Sequence, residues 1–138
     1  MKTVLVFEPG ESLRTLYKEE LEDEGYHVCL SKDEGEALAL LKKTSVNILI
    51  VEHQIEPTET YTNLLNMARE LKHIPIIIFT SHPRTIIDCE WWGEIEYVNK
   101  TSNLDVLKDT MREMLDYGWY VNRFYRSRSN LKQQEFYF

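Results

Sequence analysis

Val4 to Phe7 form an unbroken apolar run between Thr3 and Glu8, the pattern of a strand buried on both faces. After Gly10 the period changes: Leu13, Leu16, Tyr17 and Leu21 recur at helical spacing until Gly25 ends the series. Tyr26 to Leu30 predict a short second strand. Ser31, with Glu34 three residues on, reads as a capping box opening a helix that turns Ala37, Leu38 and Leu41 inward. Val46 to Val51, broken by Asn47, predict a third strand with Glu52 at its C-terminal edge, and Leu64, Leu65, Ala68 and Leu71 mark a third helix. Pro75 to Phe79 make the most hydrophobic strand, closing on Thr80-Ser81. Ile86, Ile87 and the Trp91-Trp92 pair predict a short helix stopped by Gly93. Tyr97-Val98 form the last strand, ending at Lys100, and Leu104, Leu107, Met111, Met114 and Leu115 line a fifth helix.

Strands that alternate with amphipathic helices require right-handed crossovers and a parallel sheet covered on both faces. The predicted fold is therefore an α/β, doubly wound (βα)5 domain, with a five-stranded parallel sheet of the flavodoxin-like order 2-1-3-4-5. In such sheets the site lies beyond the carboxyl ends of the strands. Glu8-Pro9, Glu52, Thr80-Ser81 and Lys100 occupy those ends, so two carboxylates, a hydroxyl pair and an ammonium are expected to converge.

Length and charge narrow the classes of function. A chain of 138 residues, 43% hydrophobic and 28% charged, suits one soluble core. No apolar stretch approaches the ~20 residues that span a bilayer, and Met1-Lys2 lead straight into the first strand rather than into a secretory signal. Cys29 and Cys89 make no disulfide framework and are expected as small buried hydrophobes. The expected setting is cytoplasmic, with no membrane. The formal net charge of −7 is unevenly spread. Residues 1–116 carry 12 Lys and Arg against 22 Asp and Glu, and such an acidic body repels nucleic acid. Residues 117–138 invert that balance, with Arg123, Arg126, Arg128 and Lys132 against Glu135, and hold half of the aromatic residues. The chain thus divides into a domain at 1–116 and an aromatic, basic extension at 117–138. The extension is expected to pack on the domain or on a second copy; peptide docking ranks next, and nucleic-acid binding last.

In order and spacing, Val4-Leu5-Val6-Phe7-Glu8-Pro9, Arg14, Gly25-Tyr26, Asn47-Ile48-Leu49-Ile50-Val51-Glu52, Ile74 to Ser81 and Tyr97-Val98-Asn99-Lys100 resemble the receiver domains of bacterial two-component response regulators, over residues 2 to about 116. The resemblance implies a phosphorelay signalling protein rather than an enzyme. In that family acids closing the first strand hold Mg²⁺, an aspartate closing the third accepts a phosphoryl group from a histidine kinase, and a Thr or Ser after the fourth bonds the phosphoryl oxygens. The lysine after the fifth strand pairs with the phosphoryl charge, because a transferring phosphoryl group needs cationic partners and in-line positioning. By this resemblance Thr80, Ser81, Tyr97 and Lys100 form the switch and phosphate pocket, and Tyr97 changes rotamer with the Thr80 hydroxyl. The metal position would draw on Glu8, Glu52 and Gln54, and the partner face on Trp91, Trp92, Tyr97 and Trp119.

The chain departs from the pattern where the chemistry lies. Glu52 stands at the acceptor aspartate, Pro9 at the second metal-binding acid, and Thr101 where a proline usually follows the lysine. The loop His53-Gln54-Ile55-Glu56-Pro57 lacks the glycine that normally begins the third helix. The resulting expectation is a stand-alone pseudo-receiver working by protein contact, with a Glu52–Lys100 ion pair imitating part of a phospho-aspartate and Mg²⁺ weak or absent. Its expected partner is a signalling protein, a kinase or downstream effector, or a second copy. The alternatives are an active, Mg²⁺-dependent phosphorelay receiver and, remotely, a flavodoxin-like cofactor binder, which the acids of Glu8-Pro9-Gly10-Glu11 disfavour. His53 and His82 are expected as solvated loop residues, and the run Glu19 to Glu24 as a solvated helix face.

Overall fold

The computed structural model describes residues 1–81, 95–101 and 103–116. Five strands, β1 (Thr3–Phe7), β2 (His27–Ser31), β3 (Ile48–Glu52), β4 (Ile76–Thr80) and β5 (Ile95–Asn99), pair in parallel in the order β2-β1-β3-β4-β5. Among the described residues the α-helices are α1 (Glu11–Asp23), α2 (Glu34–Lys43), α3 (Glu59–Asn66) and α4 (Asp105–Leu115). The helix predicted around Trp91-Trp92 and the extension at 117–138 lie outside the described residues.

Alternation along each strand explains the unbroken apolar runs. Val4 and Val6 face one buried cluster with Tyr17, Leu21, Leu107 and Met111, whereas Leu5 and Phe7 face the other with Ala37, Leu41, Tyr61 and Leu64. Each fully buried aliphatic side chain contributes about 1.5–3 kcal/mol, so a strand with both faces covered must be apolar throughout. Among the described residues no helix is long and apolar enough to cross a membrane.

The turns differ in detail from the sequence pattern. α1 ends as expected at Gly25, whose φ of 95° allows the N–H of Gly25 to reach the Glu22 carbonyl (2.9 Å) and that of Tyr26 the Leu21 carbonyl (3.2 Å). The cap of α2 is Asp33, which accepts from the Glu36 N–H at 2.8 Å, and not Ser31. Ser31 is drawn into β2 because the ladder with β1 extends to the Phe7–Ser31 pair, and its hydroxyl donates to the Val6 carbonyl at 2.9 Å. After α3 the helix widens into a π turn over Met67–Leu71, with the Lys72 N–H reaching the Met67 carbonyl (3.0 Å). A wider turn rotates each residue through a smaller angle, and Leu71, read as an inward position, faces solvent with 72% of its surface exposed. Cys29 is half-buried rather than buried. Nor is the acidic run of α1 wholly solvated: Lys108 of α4 contacts Glu20 at 2.6 Å and Glu24 at 3.6 Å, tying α4 to α1.

Candidate functional site

β1 delivers Glu8 just past its last paired residue, and the carboxylate lies buried with only 3% of the residue exposed. A buried carboxylate requires partners, and each oxygen has one. Oε2 accepts at 2.9 Å the N–H of Gly10, the residue that opens α1 without a side-chain cap. Oε1 accepts from Lys100 Nζ at 2.7 Å. Arg14, one turn into α1, donates from Nη1 to the carbonyls of Glu8 (2.9 Å) and Pro9 (2.7 Å), so the strand-to-helix turn is clamped from behind.

Lys100 follows β5 directly. Its N–H donates to the Thr80 carbonyl at 2.6 Å, and its ammonium bridges Glu8 and Glu52, meeting Glu52 Oε1 at 2.9 Å. Burial works to lower the proton affinity of this ammonium. The hydrogen bonds and charges of Glu8 and Glu52 together outweigh it and raise the Lys100 pKa above its ordinary value. The expected Glu52–Lys100 contact is therefore present, and Glu8 joins it. Two carboxylates sharing one ammonium leave the cluster with one formal negative charge.

Thr80 closes β4 and is buried, Ser81 beside it is exposed, and both line a depression of about 220 Å³ together with Glu52, His53, Ile55, Phe79 and Lys100. His53 is half-buried there, with its N–H on the Phe79 carbonyl at 3.0 Å, rather than a freely solvated loop residue. Tyr97 is half-buried against the cluster of Leu5 and Phe7, on the same strand face as Ile95. Gln54 lies half-buried in the loop after β3 and is not among the residues lining the depression. Trp91, Trp92, Trp119, His82 and Cys89 lie outside the described residues.

Two tyrosines belong to the site although the sequence did not single them out for it. Tyr17 of α1 packs against Phe79 with ring centroids 5.8 Å apart. Its phenol is pushed up to about 12, chiefly by burial, with Lys100 opposing and Glu8 and Glu52 reinforcing the rise. Its helical spacing predicted a core position, and only the fold shows that this position adjoins the acids. Tyr61 of α3 donates its hydroxyl to the Glu52 carbonyl at 2.9 Å, and burial above all raises its pKa. No spacing rule links a hydroxyl in α3 to a carbonyl nine residues earlier, so this contact had no signal in the sequence.

Known proteins resemble this chain in sequence and fold. The chain is similar to the CAI-1 autoinducer sensor kinase/phosphatase CqsS of Vibrio cholerae, with 26% identity over 111 residues, which is 77% of this chain but only 16% of that protein's length. Its fold superposes on TrrA of Thermotoga maritima, crystallised with Mg²⁺-BeF, at a TM-score of 0.71 and 27% identity, covering 83% of this chain and 99% of TrrA. The complex of histidine kinase ThkA with TrrA gives the same TM-score of 0.71 at 28% identity, covering 84% of this chain and 100% of that one. The chemotaxis protein CheY4 of Vibrio cholerae, at 24% identity, a TM-score of 0.70 and coverage of 83% and 98%, shares the fold. Residues 4–112 match the response regulator receiver domain, a span running from β1 into the last helix. Since that match takes in every strand of the sheet, the chain belongs to the response regulator receiver domain family.

Proposed function

We propose that this receiver module signals by protein contact without being phosphorylated, its switch held by a permanent ion pair. The observation that carries the reading is the 2.9 Å contact between Lys100 Nζ and Glu52 Oε1. Glutamate carries its carboxylate about 1.5 Å farther than aspartate, enough to meet the lysine directly, and displacements near 1 Å cost an in-line reaction ~100-fold in rate. The Glu52 carboxylate supplies one negative charge beside Lys100, where a phosphoryl group would supply roughly −1.5 to −2.

The donor set also supports a weak or absent metal. Mg²⁺ takes near-octahedral oxygen coordination. Glu8 commits Oε1 to Lys100 and Oε2 to the Gly10 N–H, while Pro9 has no side-chain oxygen and its carbonyl accepts from Arg14. No catalytic step is then required of the chain, which acts as a binding protein rather than an enzyme. By analogy with the ThkA–TrrA complex, its partner is a histidine kinase or a downstream effector of a bacterial cytoplasmic pathway, or a second copy.

Beryllofluoride with Mg²⁺ tests this directly, because TrrA takes that pair and serves as the positive control. Tryptophan fluorescence and the amide shifts around Thr80 and Tyr97 are expected to stay unchanged. Saturable changes there would establish a working phospho-acceptor and overturn the reading. The double substitution Glu52→Asp with Pro9→Asp is expected to restore Mg²⁺ binding by calorimetry.

A further inference from the structure

We infer that Tyr61 is a positioning residue for Glu52: its hydroxyl fixes the end of β3 so that the Glu52 carboxylate meets Lys100, coupling the first turn of α3 to the ion cluster. The inference rests on reading the Glu52–Lys100 contact as the signalling state of the module.

Glu52 has a positional problem that aspartate would not have. Its side chain is longer, with one more rotatable bond, so a defined carboxylate position needs a defined backbone beneath it. The β1–β3 ladder cannot provide this, since its last pair is Phe7–Val51, one residue short of Glu52. On the other side, β3 and β4 are paired through Glu52–Phe79, with the His53 N–H on the Phe79 carbonyl. The Glu52 carbonyl thus lies past the end of one ladder, and the Tyr61 hydroxyl binds it at 2.9 Å. Tyr61 is buried and its phenol requires a partner, which the carbonyl of half-buried Glu52 supplies.

Tyr61 is itself firmly held. Its N–H donates to the Thr58 hydroxyl oxygen (3.0 Å), which caps α3, and that hydroxyl donates in turn to Glu34 Oε1 of α2 (3.0 Å). Its ring meets Phe7 of β1 edge-on, with centroids 6.3 Å apart and planes at 60°. Beyond burial, Tyr97 and Glu52 both act electrostatically to hold the proton on this phenol. A contact that displaces α3 would therefore pull on the Glu52 peptide and weaken its hold on Lys100.

Tyr61→Phe in the full chain keeps the ring and removes only the hydroxyl. With the carboxylate less well placed, the Lys100 ammonium is expected to lose part of its hydrogen bonding to Glu52, read as a shift of its side-chain NMR signal at neutral pH. In a Glu52→Gln background the same substitution is expected to leave Lys100 unmoved, because the effect runs through the carboxylate. A Tyr61→Phe chain whose Lys100 side-chain signal matches the parent's overturns the inference, even if its melting temperature falls, since a purely structural hydroxyl changes stability alone. An undiminished shift in the Glu52→Gln background overturns it as well. These measurements use neither Mg²⁺ nor beryllofluoride, so a phosphorylatable site would show itself in the earlier test while leaving this one to stand or fall separately.

Discussion

Tyr17 and Lys100 both keep their protons to higher pH in the folded chain than in the unfolded one, for different reasons. For Tyr17 the main cause is burial, which disfavours the phenolate; for Lys100 burial acts in the opposite sense and is overcome by the hydrogen bonds of Glu8 and Glu52. The consequence for stability has one sign. A raised folded pKa contributes stability that is complete below the unfolded value and disappears as pH rises through the folded one. The window for Tyr17 runs from its ordinary 10.0 to about 12. Urea midpoints measured across that window should therefore fall, and Tyr17→Phe should make the fall shallower while leaving the neutral-pH midpoint little changed. Part of the slope should remain, because Tyr61 and Tyr26 are raised as well, each chiefly by burial. A slope identical in the two proteins would show that Tyr17 titrates as it does in water.

Individual elements are decided by how their ends are satisfied, and among the described residues the helix ends at Gly25 and His73, both left-handed, make a matched pair. Gly25 closes α1 at φ 95°, with nothing within 4 Å of where a side chain would begin. Gly25→Ala therefore meets no clash, and its cost should be conformational alone, about 1 kcal/mol of unfolding free energy. The π turn after α3 is closed instead by His73 at φ 52°, with the Ile74 N–H returning to the Ala68 carbonyl at 3.0 Å. Here the strain is already present, so His73→Gly should stabilise by about 0.5 kcal/mol. Equilibrium denaturation of both variants gives the comparison, and changes of the same sign would contradict it. Gly25 was legible as a stop because glycine announces the conformation that it permits. The stop at His73 and the π turn before it were not, because a histidine at the left-handed position carries no such signal and the Leu64-to-Leu71 spacing suits an ordinary helix. Ser31 was misread for a related reason: a strand one pair longer than its apolar run takes in a residue whose type favours capping.

At the scale of the whole molecule the topology was the most legible property. Strands buried on both faces must be apolar at successive positions, and helices between them must carry one apolar stripe, so order and layering follow from periodicity. The convergence of Glu8, Glu52, Thr80 and Lys100 was legible for the same reason, since parallel strands place all their carboxyl ends at one edge. Of the two acids that the lysine holds, Glu52 was legible from its length, whereas the part played by Glu8 depends on its buried setting, and Tyr61 reaches Glu52 through a contact that no local pattern encodes.

The bridging lysine has a consequence for the lifetime of the fold. Lys100 lies 92 residues from Glu8 and 48 from Glu52, so neither contact can form until β5 has docked beside β4. Contacts of such long sequence separation are slow to assemble, because a long loop must close before they reward it. Lys100→Met should consequently accelerate unfolding while leaving the refolding rate nearly unchanged, the two limbs of a chevron plot separating the effects. A refolding limb that slows in proportion would place β5 in the folding nucleus. The cluster then acts as a kinetic latch: it contributes little to how quickly the native state is reached and much to how long that state persists.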